Sequence, residues 1–158
     1  MISPNIFTIK KLTSQDIYPF QQLILVFEEV FEMENFTIPA QEHLQGLLDK
    51  ADFMVFAAFH EGKVIGGLTA YVLTSYFHPS ADVYVLDLAI KAEFQRKGLG
   101  KKLMEQAFAY CKTQNINEVF VQADEVDQHA VDFYHSLGGI AEKAVNFDFP
   151  LAGPKSSP

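Results

Sequence analysis

Six consecutive residues carry the clearest chemistry in this sequence: Gln95-Arg96-Lys97-Gly98-Leu99-Gly100. They end in two glycines and run straight into an apolar stripe at helical spacing, Leu103, Met104, Ala107, Phe108 and Cys111. A helix start presents unpaired N–H groups and partial positive charge, and glycine there lets the backbone wrap an anion closely. Lys91, Arg96, Lys97, Lys101 and Lys102 place five of the twelve basic residues within this short stretch of an acidic chain. The pattern predicts a bound polyanion, a phosphate or diphosphate, at this helix end. The plainer alternative is a solvated, lysine-rich first turn. The segment is neither a Walker loop, since no Gly-x-x-x-x-Gly-Lys-Ser/Thr occurs, nor a dinucleotide fingerprint, since Leu103 stands where a third glycine would be required.

Other groups form two further sets. Asp87 lies inside Val83–Ile90, an otherwise apolar strand, where a carboxylate is costly to bury without a partner. It could meet an amine, relay a proton or hold a structural partner. Two runs are acidic with no basic residue among them: Glu28, Glu29, Glu32 and Glu34, and then Asp124, Glu125, Asp127 and Asp132. Charge is thus segregated, basic at the glycine loop and acidic elsewhere, which is compatible with an anionic ligand and a cationic small molecule, although an acidic balance by itself more often serves solubility. Some of these carboxylates are expected to be plain solvated helix faces. Tyr134 sits at the end of an apolar face, where a core tyrosine is the plain reading. No metal site is expected: the calcium-loop pattern is missing and the histidines form no His-x-x-x-His pair.

The elements that must position these groups follow from periodicity. Ile6–Leu12 alternates as an opening strand, and Thr13, Ser14 and Asp16 signal a helix start before Ile17, Phe20, Ile24, Phe27 and Phe31. Pro39 opens a shorter helix that buries Leu44, Leu47 and Leu48. Phe53–Phe59 and Val64–Leu73 form a hairpin about Glu61-Gly62. Strand Val83–Ile90, helix Gly100–Cys111, strand Glu118–Ala123 and helix Val126–Leu137 follow, the last stopped by Gly138-Gly139. Ala144–Phe149 is predicted as a final strand. The order is β-α-α-β-β-β-α-β-α-β, which predicts an α/β fold with a mixed sheet.

The 158 residues suit one domain, assigned to 1–150, with 151–158 as a flexible tail. Twelve Lys+Arg against twenty Asp+Glu give a net charge of −8, which argues against nucleic acid as partner. One cysteine, Cys111, allows no intramolecular disulfide. No apolar run is long enough to span a membrane and Met1–Leu12 lacks a secretory signal, so the protein reads as cytoplasmic.

Gln95–Gly100 resembles the Gln/Arg-x-x-Gly-x-Gly/Ala pyrophosphate loop of the GCN5-related N-acetyltransferases (GNAT). Asp87-Leu88-Ala89-Ile90 resembles the strand before that loop, and Ala130, Phe133, Tyr134 and Leu137-Gly138 resemble the family's later helix. A closer resemblance is to the type I aminoglycoside 3-N-acetyltransferases, through Ala70-Tyr71-Val72-Leu73, Tyr84–Ala89, Val121-Gln122-Ala123-Asp124 and Asn146-Phe147-Asp148. Asp127-Gln128-His129-Ala130 departs from the Asp-Asp-Pro-Ala run of those enzymes. The resemblance implies the GNAT acyl-CoA N-acyltransferase fold, a mixed central sheet flanked by helices, with acetyl-CoA as co-substrate.

The resemblance also implies roles. Leu88, Ala89 and Ile90 would meet the pantetheine arm, Gln95, Arg96, Lys97, Gly98, Leu99, Gly100 and Lys101 the diphosphate, and Ala130 and Phe133 the coenzyme from the later helix. Tyr134 would protonate the departing sulfur, and Asp87 would serve the attacking amine. Glu28, Glu32, Asp124, Glu125 and Asp127 would line the acceptor slot. The implied reaction is acetylation of the 3-amino group of an aminoglycoside. A polyamine, an amino sugar or a protein amine is the alternative acceptor, and a catalytically silent acyl-CoA binder the alternative class. The first helices and Ser75-Tyr76-Phe77-His78-Pro79 offer apolar surface for a homodimer.

Overall fold

A computed structural model describes residues 6–153. The chain divides into two compact units, Met1–Gln122 and Ala123–Pro158. The first unit is built on a five-stranded sheet in the order β1-β2-β3-β4-β5. Its strands are β1 (Phe7–Lys11), β2 (Phe53–His60), β3 (Lys63–Thr74), β4 (Ala81–Ile90) and β5 (Ile116–Val121). The first four run antiparallel to their neighbours, and β5 joins β4 in parallel. Helices α1 (Ile17–Val30) and α2 (Gln41–Leu48) connect β1 to β2, and α3 (Leu99–Thr113) is the crossover that makes the parallel pair possible. The α/β class and the mixed sheet flanked by helices are as expected.

Local chemistry accounts for each element. In α1, Phe20, Leu23, Val26 and Phe27 are buried, a stripe of helical period. Asp16 occupies the position before α1 but does not cap it. Its carboxylate instead accepts hydrogen bonds from the Thr13 N–H at 2.8 Å and Lys10 Nζ at 2.7 Å, which secures the β1–α1 corner. Glu61 (φ +49°) and Gly62 (φ +75°) make the tight β2–β3 turn, both in the left-handed region that two-residue hairpin loops require.

The sheet separates two apolar layers. Phe53, Val55 and Ala57 of β2 join the α1 and α2 side chains in one core, with Leu23 fully buried at its centre. Phe56, pointing the other way, meets Tyr110 of α3 with ring centroids 6.1 Å apart. Gly67 is required where α1 crosses β3: a Cβ there would lie 2.5 Å from the Phe56 carbonyl oxygen and 2.7 Å from Leu23.

In the second unit, α4 (Gln128–Ser136) starts at Asp127, whose carboxylate accepts a hydrogen bond from the Ala130 N–H at 3.1 Å. It ends at Gly138 (φ +89°), as the glycine pair predicts. The predicted last strand does not form: residues 144–149 carry no regular structure and the element order stops at α4. Alternation of apolar residues there is real, but it specifies a face and not a neighbour, and a strand exists only where its backbone finds a ladder. Of the expected tail 151–158, Leu151–Gly153 is exposed and the remainder lies outside the described residues.

Candidate functional site

The site begins with an irregularity in β4. Thr69 pairs with Asp87, but the next residue of β3, Ala70, pairs with Val85. Leu86 is therefore an extra residue, a β-bulge. Thr69 and Ala70 are adjacent on β3 and face opposite sides of the sheet, so their partners Asp87 and Val85 do too. Val85 turns into the core and Asp87 turns out toward α1 and α2. Because of the bulge, consecutive residues Leu86 and Asp87 both line a cavity of about 210 Å³, walled also by Phe27, Phe36, His43 and Tyr71.

Asp87 is the acidic residue on that wall. The Thr69 hydroxyl donates to it at 3.5 Å. Burial pushes the Asp87 carboxyl up from its ordinary value, against the smaller opposing effect of that hydrogen bond. A carboxylate held this way is a stronger proton acceptor than one in water, placed at the rim of an apolar hollow.

The second feature is an open backbone edge. β5 pairs only with Ala81–Val85, so β4 runs on from Leu86 to Ile90 without that neighbour. The Lys91 N–H donates to the Ile65 carbonyl at 2.9 Å, on the β3 side. Peptide groups alternate along a strand, so those of Leu88 and Ile90 point the other way, into the gap. The Ile90 carbonyl there accepts from Gln95 Nε2 at 2.8 Å. An extended ligand could pair with this edge as a strand would.

The third feature is the glycine loop. A short 3-10 turn, Ala92–Phe94, leads into Gln95, then Arg96 (φ +60°) and Gly98 (φ +77°) bend the backbone over the start of α3. The first internal hydrogen bond of α3 runs from the Lys102 N–H to the Gly98 carbonyl, and no side chain caps the helix. The N–H groups of Leu99, Gly100 and Lys101 are thus the donors left over by the helix geometry. Arg96, Lys97 and Lys101 are exposed around them, whereas the Leu99 side chain is buried and can offer only its backbone. A diphosphate finds donors and positive charge here.

The predicted acidic residues separate into different settings. Glu28 and Glu32 are not among the residues lining the Asp87 cavity. Glu29 pairs with Lys91 at 3.8 Å, which ties α1 to the end of β4. In the second unit Asp127 is the α4 cap, and Asp124 and Glu125 are exposed in the turn before it. Ala130, Phe133 and Tyr134 lie together on α4, with the Phe133 and Tyr134 rings 5.1 Å apart. Burial, reinforced by the Asp127 carboxylate, pushes the Tyr134 phenol above its ordinary value and keeps its proton on.

Sequence reasoning did not find the cavity walls. Phe36, His43, Thr69, Tyr71 and Leu86 come from four separate stretches, and only the fold brings them together. Thr69 alone left a signal, a polar residue within the apolar run of β3.

The chain matches the Acetyltransferase (GNAT) family over residues 17–138. It is similar to an aminoglycoside acetyltransferase, meta-AAC0020, from an uncultured soil metagenomic sample, solved in complex with trehalose: 45% identity, TM-score 0.90, covering 92% of this chain and 96% of that one. The same enzyme in complex with sisomicin matches at 44% identity and the same TM-score. A second aminoglycoside acetyltransferase of soil metagenomic origin, HMB0005, matches at 28% identity and TM-score 0.88, over 93% of this chain and 99% of that one.

Proposed function

The chain belongs to the Acetyltransferase (GNAT) family, and on that footing we propose that it moves the acetyl group of acetyl-CoA to the 3-amino group of an aminoglycoside in the cytoplasm. The observation that carries this reading is the placement, on one strand, of a cavity-facing carboxylate at Asp87 beside the open backbone edge of Leu88 and Ile90. The metagenomic relative in complex with sisomicin supports an aminoglycoside as acceptor.

The thioester of acetyl-CoA supplies an activated acyl group. Leu88 and Ile90 hold the pantetheine arm through their outward peptide groups, with Ala89 anchoring that stretch to β3. The backbone from Gln95 to Gly100 and the Lys101 N–H hold the diphosphate, with Arg96 and Lys97 adding charge. Asp87 accepts a proton from the attacking amine and orients its lone pair toward the carbonyl. The strand's own N–H groups stabilise negative charge developing on the carbonyl oxygen. Tyr134, kept protonated, donates to the sulfur as it leaves, with Ala130 and Phe133 beside it along α4. Glu28 and Glu32, with Asp124, Glu125 and Asp127, attract the remaining ammonium groups of a polycationic acceptor.

A panel assay tests this. Thiol release from acetyl-CoA is followed with sisomicin, gentamicin, spermidine, glucosamine and peptides, and the product is mapped by NMR. Acetylation at the 3-amino nitrogen of the aminoglycosides is expected. Turnover confined to spermidine, amino sugar or peptide would move the acceptor to that class, and coenzyme binding without turnover on any amine would make the chain a silent binder.

A further inference from the structure

The glycine loop is fixed differently at its two ends. At the far end the Leu99 side chain is buried, so the backbone enters α3 from an anchored point. At the near end stands the 3-10 turn Ala92–Phe94, closed by two backbone bonds. They run from the Phe94 N–H to the Lys91 carbonyl at 2.9 Å and from the Gln95 N–H to the Ala92 carbonyl at 3.2 Å. Between the ends Arg96, Lys97 and Gly98 are exposed. Arg96 holds φ +60°, a region that a residue with a Cβ keeps only where its surroundings impose it. A three-residue turn is too short to impose it alone, so the near end needs an anchor too.

Phe94 supplies that anchor. Its ring lies edge-on to Phe7 with centroids 6.1 Å apart, and tilted against His60 at 5.2 Å. Phe7 and His60 are register partners on β1 and β2, and their own rings are 5.1 Å apart. These separations are those of favourable aromatic pairs, so the three rings form a closed set. In the sheet order β2 lies two strands from β4 and β1 three, so the set ties the turn after β4 to the opposite side of the sheet. β2 alternates regularly against β1, which puts His60 on the face of Ala58 and Phe56, the face turned to α3.

His60 is the odd member of this set. Its Nδ1 is buried with no hydrogen-bond partner among the described residues, and its Nε2 stands 3.9 Å from the exposed carboxylate of Glu61. The imidazole is therefore seated by its ring and not by hydrogen bonds. It is also absent from the residues lining the Asp87 cavity.

We propose that His60 is a positioning residue for the coenzyme: its ring seats Phe94, and Phe94 fixes where the backbone of Gln95–Gly100 turns over the diphosphate. This role presupposes that the glycine loop is the coenzyme's diphosphate site. Because His60 meets no reacting group, its loss acts on coenzyme affinity and leaves the chemical step alone.

A double-mutant cycle on coenzyme A binding, read by calorimetry, tests this with His60→Ala, Phe94→Ala and the double variant. Each single variant is expected to weaken binding about fivefold, and the double variant no more than either alone, since both remove the same support. In turnover of acetyl-CoA, His60→Ala should raise KM for the coenzyme in step while kcat stays at the wild-type value. His60→Phe, which keeps a ring, should bind as the wild type does. Losses that add in the double variant, or wild-type affinity in His60→Ala, overturn the proposal. So does a His60→Phe variant as weak as His60→Ala, which would place the effect in the imidazole nitrogens. Should His60→Ala fail to fold by circular dichroism, His60→Leu takes its place in the cycle with the same expectations. Wild-type protein that takes up no coenzyme A would overturn the coenzyme reading itself, and the role of His60 with it.

Discussion

Val85 and Asp87 stand two residues apart on β4 yet face opposite sides of the sheet, because Leu86 is a bulge between them. That one extra residue turns a carboxylate out of the core and into the cavity. Deleting Leu86 restores the regular alternation with Val85 and Asp87 side by side opposite Ala70 and Thr69, so the carboxylate keeps its face and the cavity loses one wall residue. The deletion and Leu86→Ala are both expected to keep the fold. Urea denaturation checks this, with a single cooperative transition expected for each variant and loss of that transition in the deletion contradicting the register.

Asp87 also makes stability depend on pH. Its folded pKa is raised above the ordinary 3.8, chiefly by burial. A raised carboxyl favours the folded state while protonated; that contribution is fully present below 3.8 and is lost as pH rises through the folded value. Asp87→Asn stays neutral throughout. The variant is expected to gain melting temperature relative to wild type on the alkaline side of that window, with the difference vanishing toward acid. Thermal melts across pH measure it.

Gly67 lies under α1 with no room for a side chain. Gly67→Ala brings a methyl against the Phe56 carbonyl and Leu23, and a loss of about 1–3 kcal/mol is expected from such overpacking. Equilibrium unfolding reads the loss directly, and an unchanged midpoint would mean that α1 shifts freely.

The glycine loop separates binding from chemistry. Gly98 has φ +77°, so Gly98→Ala is strained by roughly 1 kcal/mol and distorts the N–H array. Together with Lys97→Ala it is expected to weaken coenzyme A binding at least tenfold in calorimetry. KM for acetyl-CoA should rise while kcat changes little, because these groups hold the substrate away from the reacting bond.

Much of this was legible in the sequence, for identifiable reasons. The stripe Phe20, Leu23, Phe27 and the glycine loop before Leu103 state their structure locally, so the helices, the first five strands and the loop lie where periodicity puts them, within a few residues. Asp87 was visible as an oddity, but its orientation depends on register with Thr69, which no local pattern encodes. Asp127 looked like part of an acidic cluster and is a helix cap. Residues 144–149 alternate as a strand should and form none, since a ladder needs a neighbour that alternation does not name.

The pH dependence of kcat/KM for acetyl transfer to sisomicin, at saturating acetyl-CoA, bears most directly on Asp87. Wild type is expected to show an acid limb governed by a carboxyl, and Asp87→Asn to lose that limb together with about a hundredfold or more in rate. A variant with the wild-type rate and an unaltered acid limb would show that the proton leaves the amine by another route.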